Sequence, residues 1–136
     1  QLFFVVLVRN GKKMKQLCRV ILLFGLLLMP ISTQAQTVFF QTLYDVPVMN
    51  GLSELPEMAL SYDKMEGRVA SVTATYESKD ISEVYAFYNK VLPEFGWSRQ
   101  AEGVYVREGE ILTISRDWMG EGWLVTFSLN PTKILK

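Results

Sequence analysis

Along residues 68–77 apolar and hydroxyl side chains alternate: Ala70, Val72, Ala74 and Tyr76 on one side, Ser71, Thr73 and Thr75 on the other. A period of 2 predicts a strand with one face covered and the other solvated. Residues 58–64 predict a strand before it, joined through the hairpin turn Met65-Glu66-Gly67. From 80 to 96 the period changes. Ile81, Val84, Phe87/Tyr88, Val91/Leu92 and Phe95 recur every three to four positions and predict one helix with an apolar stripe. Asp80 suits its N-cap, with Glu83 in capping-box position. Pro93 should end or kink the helix, and Gly96 suits a left-handed C-terminal position.

Three further strands are predicted. Residues 103–108 and 111–116 are joined at Glu108-Gly109-Glu110, and 123–129 follow a loop over 117–122. Trp123, Val125, Phe127 and Leu129 share one face of the last strand, with Thr126 and Ser128 on the other, and Pro131 ends it. The expected fold is α+β: a single helix packed on a mostly antiparallel sheet, in the order β-β-α-β-β-β.

Residues 36–57 form an extended leader. Pro47 and Pro56 exclude a regular helix, and Asn50-Gly51 signals a turn. The leader is too apolar for a disordered linker, with Val38, Phe39, Phe40, Leu43, Tyr44, Val46, Val48, Met49, Leu52 and Leu55 along it. It is expected to pack on its own domain, along a sheet edge or beneath the helix. The chain thus divides into 1–35, the leader 36–57, an α+β domain 58–131 and a tail 132–136.

Charge separates the first segment from the rest. Residues 1–35 carry Arg9, Lys12, Lys13, Lys15 and Arg19 and no acid. The remainder holds nine basic residues against all fourteen acids, a net charge of −5. Met14 is the expected start, followed by a basic stretch, the apolar run 20–28 and Pro30, with small residues at Thr33 and Ala35. This pattern predicts a signal peptide cleaved after Ala35 and a periplasmic or secreted product. The run is short of the roughly 20 residues that span a bilayer. A membrane contact is expected only if the signal peptide stays uncleaved.

Composition narrows the chemistry. The only Cys, Cys18, precedes the apolar run, and the chain has no His. Ser-His-Asp and Cys-His catalysis are thereby excluded, and zinc or copper would find only carboxylates. No cofactor or metal is expected. The acidic domain repels phosphate backbones, so nucleic acid is not an expected partner.

The motifs Asp45-Val46-Pro47-Val48-Met49 with Gly51-Leu52, and Phe87-Tyr88 with Leu92-Pro93 and Gly96-Trp97, set the chain beside a known group. It resembles small secreted proteins of Gram-negative bacteria, chiefly alphaproteobacteria, that share a DVPxMxGL leader and an FYxxxLPxxGW helix end. The resemblance runs from about Asp45 to Pro131. It implies export and fold and transfers no site.

Two carboxylate pairs, Glu108/Glu110 and Asp117/Glu121, could serve glycoside hydrolysis, but their turns are convex and call for such residues anyway. The helix aromatics read as core and Trp97 as a plug at the helix end. The Ser/Thr row reads as a solvated sheet face. Trp118 and Met119 have no structural need in a loop and are candidate contacts. Tyr44, Val48 and Met49 of the leader join them. The expectation is a non-enzymatic module binding an envelope protein or peptide. The alternatives are a carrier of a small apolar ligand between helix and sheet and, third, a hydrolase using carboxylates alone.

Overall fold

A computed structural model describes residues 30–31 and 36–132. The expected signal peptide lies outside the described residues, apart from Pro30 and Ile31. Among the described residues no helix is long and apolar enough to cross a membrane.

Among the described residues seven strands form one antiparallel sheet: β1 (Leu52–Glu54), β2 (Leu60–Lys64), β3 (Gly67–Tyr76), β4 (Ser98–Ala101), β5 (Val104–Arg107), β6 (Glu110–Trp118) and β7 (Trp123–Pro131). The spatial order is β1-β3-β7-β6-β5-β4. β1 and β2 share one edge of β3: Leu52 pairs with Tyr76 at its far end, and Lys64 with Gly67 at its start. A 3-10 turn, Pro56–Met58, separates them. One helix, α1 (Ser82–Val91), connects β3 to β4 at the opposite edge.

The α+β class and the helix-on-sheet packing hold, and two strands are added. β1 is three residues long, and all four residues of β4 are exposed. Neither contains the alternation that signals a half-buried strand. β6 also runs two residues further than expected, because Trp118 pairs with Trp123 and keeps the ladder intact.

The core lies between α1 and the sheet face bearing Val72, Leu112, Tyr105, Phe127 and Leu129. Tyr88 reaches the sheet from the helix, its ring 5.0 Å from that of Phe127. The buried helical positions are Val84, Tyr85, Tyr88 and Leu92. Phe87 and Phe95, which the stripe would bury, only pack against the margin of the core. α1 gives way to a 3-10 turn, Leu92–Phe95, at Pro93, and Gly96 takes φ +86°. The Trp97 amide donates to the Leu92 carbonyl, so Trp97 turns inward and is buried. The helix start departs from a capping box: Asp80 accepts from the Ser82 amide, while Glu83 turns away to accept from the Tyr76 hydroxyl.

The leader is part of this packing. Residues 38–48 fold back on themselves through the Phe40 amide to the Val46 carbonyl and the Val48 amide to the Val38 carbonyl. Phe40, Leu43 and Val46 are buried, and Phe40 rests on Phe127 with ring centroids 4.9 Å apart. Both expected positions are used: the stretch around Pro47 and Met49 lies against the helix at Tyr88, and β1 occupies a sheet edge.

The opposite sheet face carries Ser71, Thr75, Thr113, Ser115, Thr126 and Ser128 in phase. Thr73 departs from the solvated row, being only 4 % exposed. It sits mid-strand opposite Thr126, and its carbonyl accepts from the Leu55 amide, which draws the turn after β1 against it.

Candidate functional site

The β6–β7 hairpin projects the two most prominent candidates. Its tip is short: the Met119 amide donates to the Gly122 carbonyl at 2.8 Å. Gly120 adopts φ +90°, a region that glycine enters without strain. Gly122 is required for a different reason. A Cβ there would lie 2.9 Å from the Tyr76 carbonyl oxygen, so only glycine lets the hairpin close on the end of β3.

Below the tip, Trp118 and Trp123 face each other across the ladder, with ring centroids 5.0 Å apart at 63°. Edge-to-face contact brings the positive rim of one ring to the negative face of the other. The Trp123 indole N–H donates to the Lys79 carbonyl at 3.3 Å, tying the hairpin to the segment before α1. Trp118 is thus a strand residue with a fixed base. It remains 48 % exposed, and Met119 beside it is 65 % exposed.

An open concavity lies beside the pair, lined by Thr75, Tyr76, Glu77, Met119, Glu121 and Trp123. Its charged groups are the carboxylates of Glu77 and Glu121, while Asp117, one residue before Trp118 on β6, points to the other sheet face. Glu83 contributes nearby by accepting the Tyr76 hydroxyl, which raises the tyrosine's pKa above its ordinary value. The surface offers an apolar anchor point framed by carboxylates.

The leader candidates sit elsewhere. Val48 and Met49 pack against the core, and the Met49 amide donates to the Tyr88 hydroxyl at 3.2 Å. Tyr44 is 69 % exposed, but the Arg68 guanidinium lies 4.9 Å from its ring centroid. Arg68 is near the start of β3, whereas the Trp118 hairpin closes on its end. The two groups of candidates do not form one surface.

Next to Tyr44 is a charge network that sequence reasoning missed. Asp45 pairs with Arg107 and, at 3.5 Å, with Arg68, which is also 3.7 Å from Glu110. Arg107 lies over the Trp97 ring at 4.3 Å and donates to the Phe95 carbonyl. Two arginines hold Asp45, and through it the leader, against the end of the helix. A signal was present: Arg68 and Arg107 are in phase with the core-facing Ala70 and Tyr105, and such a charge needs an acid beside it.

This arrangement divides the candidate pair Glu108/Glu110. Glu110 is engaged by Arg68, while Glu108 occupies an exposed turn. Glu108 and Gly109 take φ +43° and +81°, the sign pattern of the mirror-image turns that suit two-residue hairpins. Asp117 and Glu121 are both exposed on the β6–β7 hairpin. Among the described residues no group of three or more His, Cys, Asp or Glu could hold a metal ion. No protein family, no curated protein and no solved structure matches the chain.

Proposed function

We propose that the chain is an exported, non-enzymatic module that binds another protein or peptide of the cell envelope through its β6–β7 hairpin. The observation that carries this reading is the exposure of Trp118 and Met119 on a hairpin held by the Trp118–Trp123 contact. A large side chain presented on a rigid base loses little freedom on binding, which makes it an effective anchor. The carboxylates of Glu77 and Glu121 beside it favour a partner segment with a basic residue next to its apolar anchor.

The other two readings have less support. The space between helix and sheet is taken by Phe40, Leu43, Tyr88, Leu92 and Phe127, all at most 1 % exposed, where a carried ligand would have to sit. Glu77 and Glu121 share the concavity, yet both are exposed to water. A general acid requires a carboxyl kept protonated by its surroundings, usually by shielding.

Site-specific photo-cross-linking in intact cells tests the reading. A photoreactive residue at Met119 is expected to give a discrete adduct that is lost with Trp118→Ala and reduced by Glu121→Lys. Adducts that survive Trp118→Ala, or that form equally from Glu94, exposed in the 3-10 turn after α1, would overturn it.

A further inference from the structure

The sheet has two edges, and they are treated differently. At β4 the register with β5 shifts between Arg99 and Ala101, an irregularity that spoils an edge for pairing. On the other side, Pro56 and its 3-10 turn interrupt the edge after β1. β2 has neither device. It is five regular residues, all exposed, with no proline and no register shift.

The outward groups of β2 follow from one hydrogen bond. The Leu55 amide donates to the Thr73 carbonyl, so odd-numbered residues of β3 direct their backbone groups toward this edge. Ser71, Val69 and Gly67 therefore bond Leu60, Tyr62 and Lys64, their partners in register. The N–H and C=O groups of Ser61 and Asp63 point away from the sheet, and backbone groups of an edge strand are a template for another strand.

We propose that the chain forms a two-fold dimer by antiparallel pairing of β2 with β2 of a second copy, centred on Tyr62. In that register Ser61 of one copy bonds Asp63 of the other, twice, and all four outward pairs of backbone groups in the two strands are used. Tyr62 meets Tyr62 at a non-hydrogen-bonded position, where side chains approach most closely and aromatic pairs stabilise. Leu60 lies opposite Lys64, whose methylene stem can cover it. No two like charges face each other. A register centred on Asp63 would oppose two carboxylates, which selects against it.

The surface chemistry agrees with self-association. Leu60 and Tyr62 are 52 % and 43 % exposed and point to the same side of β2. Pairing places both copies' residues side by side, so each covers the other's apolar strip. The product is one continuous sheet with both helices on one side and both hydroxyl-bearing faces on the other. This contact is separate from the Trp118 hairpin at the end of β3.

Sedimentation velocity on the full chain over a range of concentrations tests the proposal. The expected result is a monomer–dimer equilibrium. Tyr62→Lys sets two lysines against each other and is expected to weaken it by roughly tenfold or more. At concentrations where the parent is monomeric its thermal melt should match the parent's, because Tyr62 is 43 % exposed in the monomer and only dimerisation adds to the parent's melting temperature. With Cys18→Ser as background, Tyr62→Cys should oxidise to a disulfide-linked dimer, while Arg99→Cys on the opposite edge should not. A chain that stays monomeric to its solubility limit would overturn the proposal. So would a dimer indifferent to Tyr62→Lys, cross-linking as efficient through Arg99→Cys, or a monomer whose β2 instead captures an unrelated strand peptide.

Discussion

The Tyr88 hydroxyl donates to the Pro47 carbonyl at 2.8 Å and, in the same place, accepts the Met49 amide. One helical side chain thereby satisfies two backbone groups of the leader on either side of Val48. Its ring meanwhile packs on Phe127 in the central strand.

Tyr88→Phe keeps the ring and removes the hydroxyl. The Pro47 carbonyl and Met49 amide lose their partner in a place where water replaces it poorly. The expected cost is about 1–3 kcal/mol, read from urea unfolding at neutral pH. A variant as stable as the parent would mean that the leader's backbone is solvated.

Alkaline pH should weaken the fold. Burial raises the pKa of Tyr88 well above the ordinary 10.0, and burial also raises Tyr85 and Tyr105. Below that ordinary value all three are neutral whether folded or unfolded, and their contribution is fully present. As pH rises past 10.0 the unfolded chain releases protons that the folded chain retains, so stability falls. Melting temperatures should decline steeply above about pH 10 and less steeply in Tyr88→Phe. A flat profile through that range would contradict the burial of these hydroxyls.

Phe40→Ala tests whether the leader belongs to the core. Phe40 is 1 % exposed and rests on Phe127. Removing it should cost about 3–5 kcal/mol. Val38→Ala, two residues away and well exposed, should change stability by about 0.5 kcal/mol or less. Equal, small effects from both would show the leader to be dispensable.

Gly103→Ala should be poorly tolerated. Gly103 adopts φ +71°, and a Cβ there would lie 2.7 Å from the Ile114 carbonyl oxygen and 2.9 Å from the Tyr85 ring. The Gly103 carbonyl also accepts from the Ile114 amide, which leaves the backbone little room to retreat. A loss of about 2–4 kcal/mol is expected from chemical denaturation. Gly120→Ala, with open space around it and only its φ against it, should cost less.

The legible parts of this fold are those where period and burial coincide. Ala70, Val72 and Ala74 are all buried, as are Val125, Phe127 and Leu129, so the two strands that define the core face could be read directly. β4 could not, because Ser98, Arg99 and Gln100 form an edge and bury nothing. The helix stripe was right in phase and wrong in emphasis. Tyr85 and Tyr88 take the central positions and leave Phe87 and Phe95 at the margin, since rotation about the helix axis is set by what the sheet and leader present. Of the site, Trp118 and Met119 stood out beside their glycine neighbours, but a loop tucked onto the sheet edge was an equally open reading, and Trp118 ends β6 rather than lying in the loop. The Asp45 clamp did not, because its partners Arg68 and Arg107 come from two distant strands and only the folded chain brings them together.

β7 is the last of the described strands in the chain, yet it lies between β3 and β6 in the sheet. Until it is present, β3 has no neighbour toward the meander, and Phe40 and Tyr88 have no Phe127 to rest on. The first and last parts of the domain must therefore meet before either is stable, and slow, late folding is the usual price of such distant contacts. A chain truncated before Trp123 is expected to be protease-sensitive and to lack sheet signal in circular dichroism. An incomplete chain of this kind stays unfolded, which is the state that the export proposed above would carry across a membrane, and it closes only once its final strand is free.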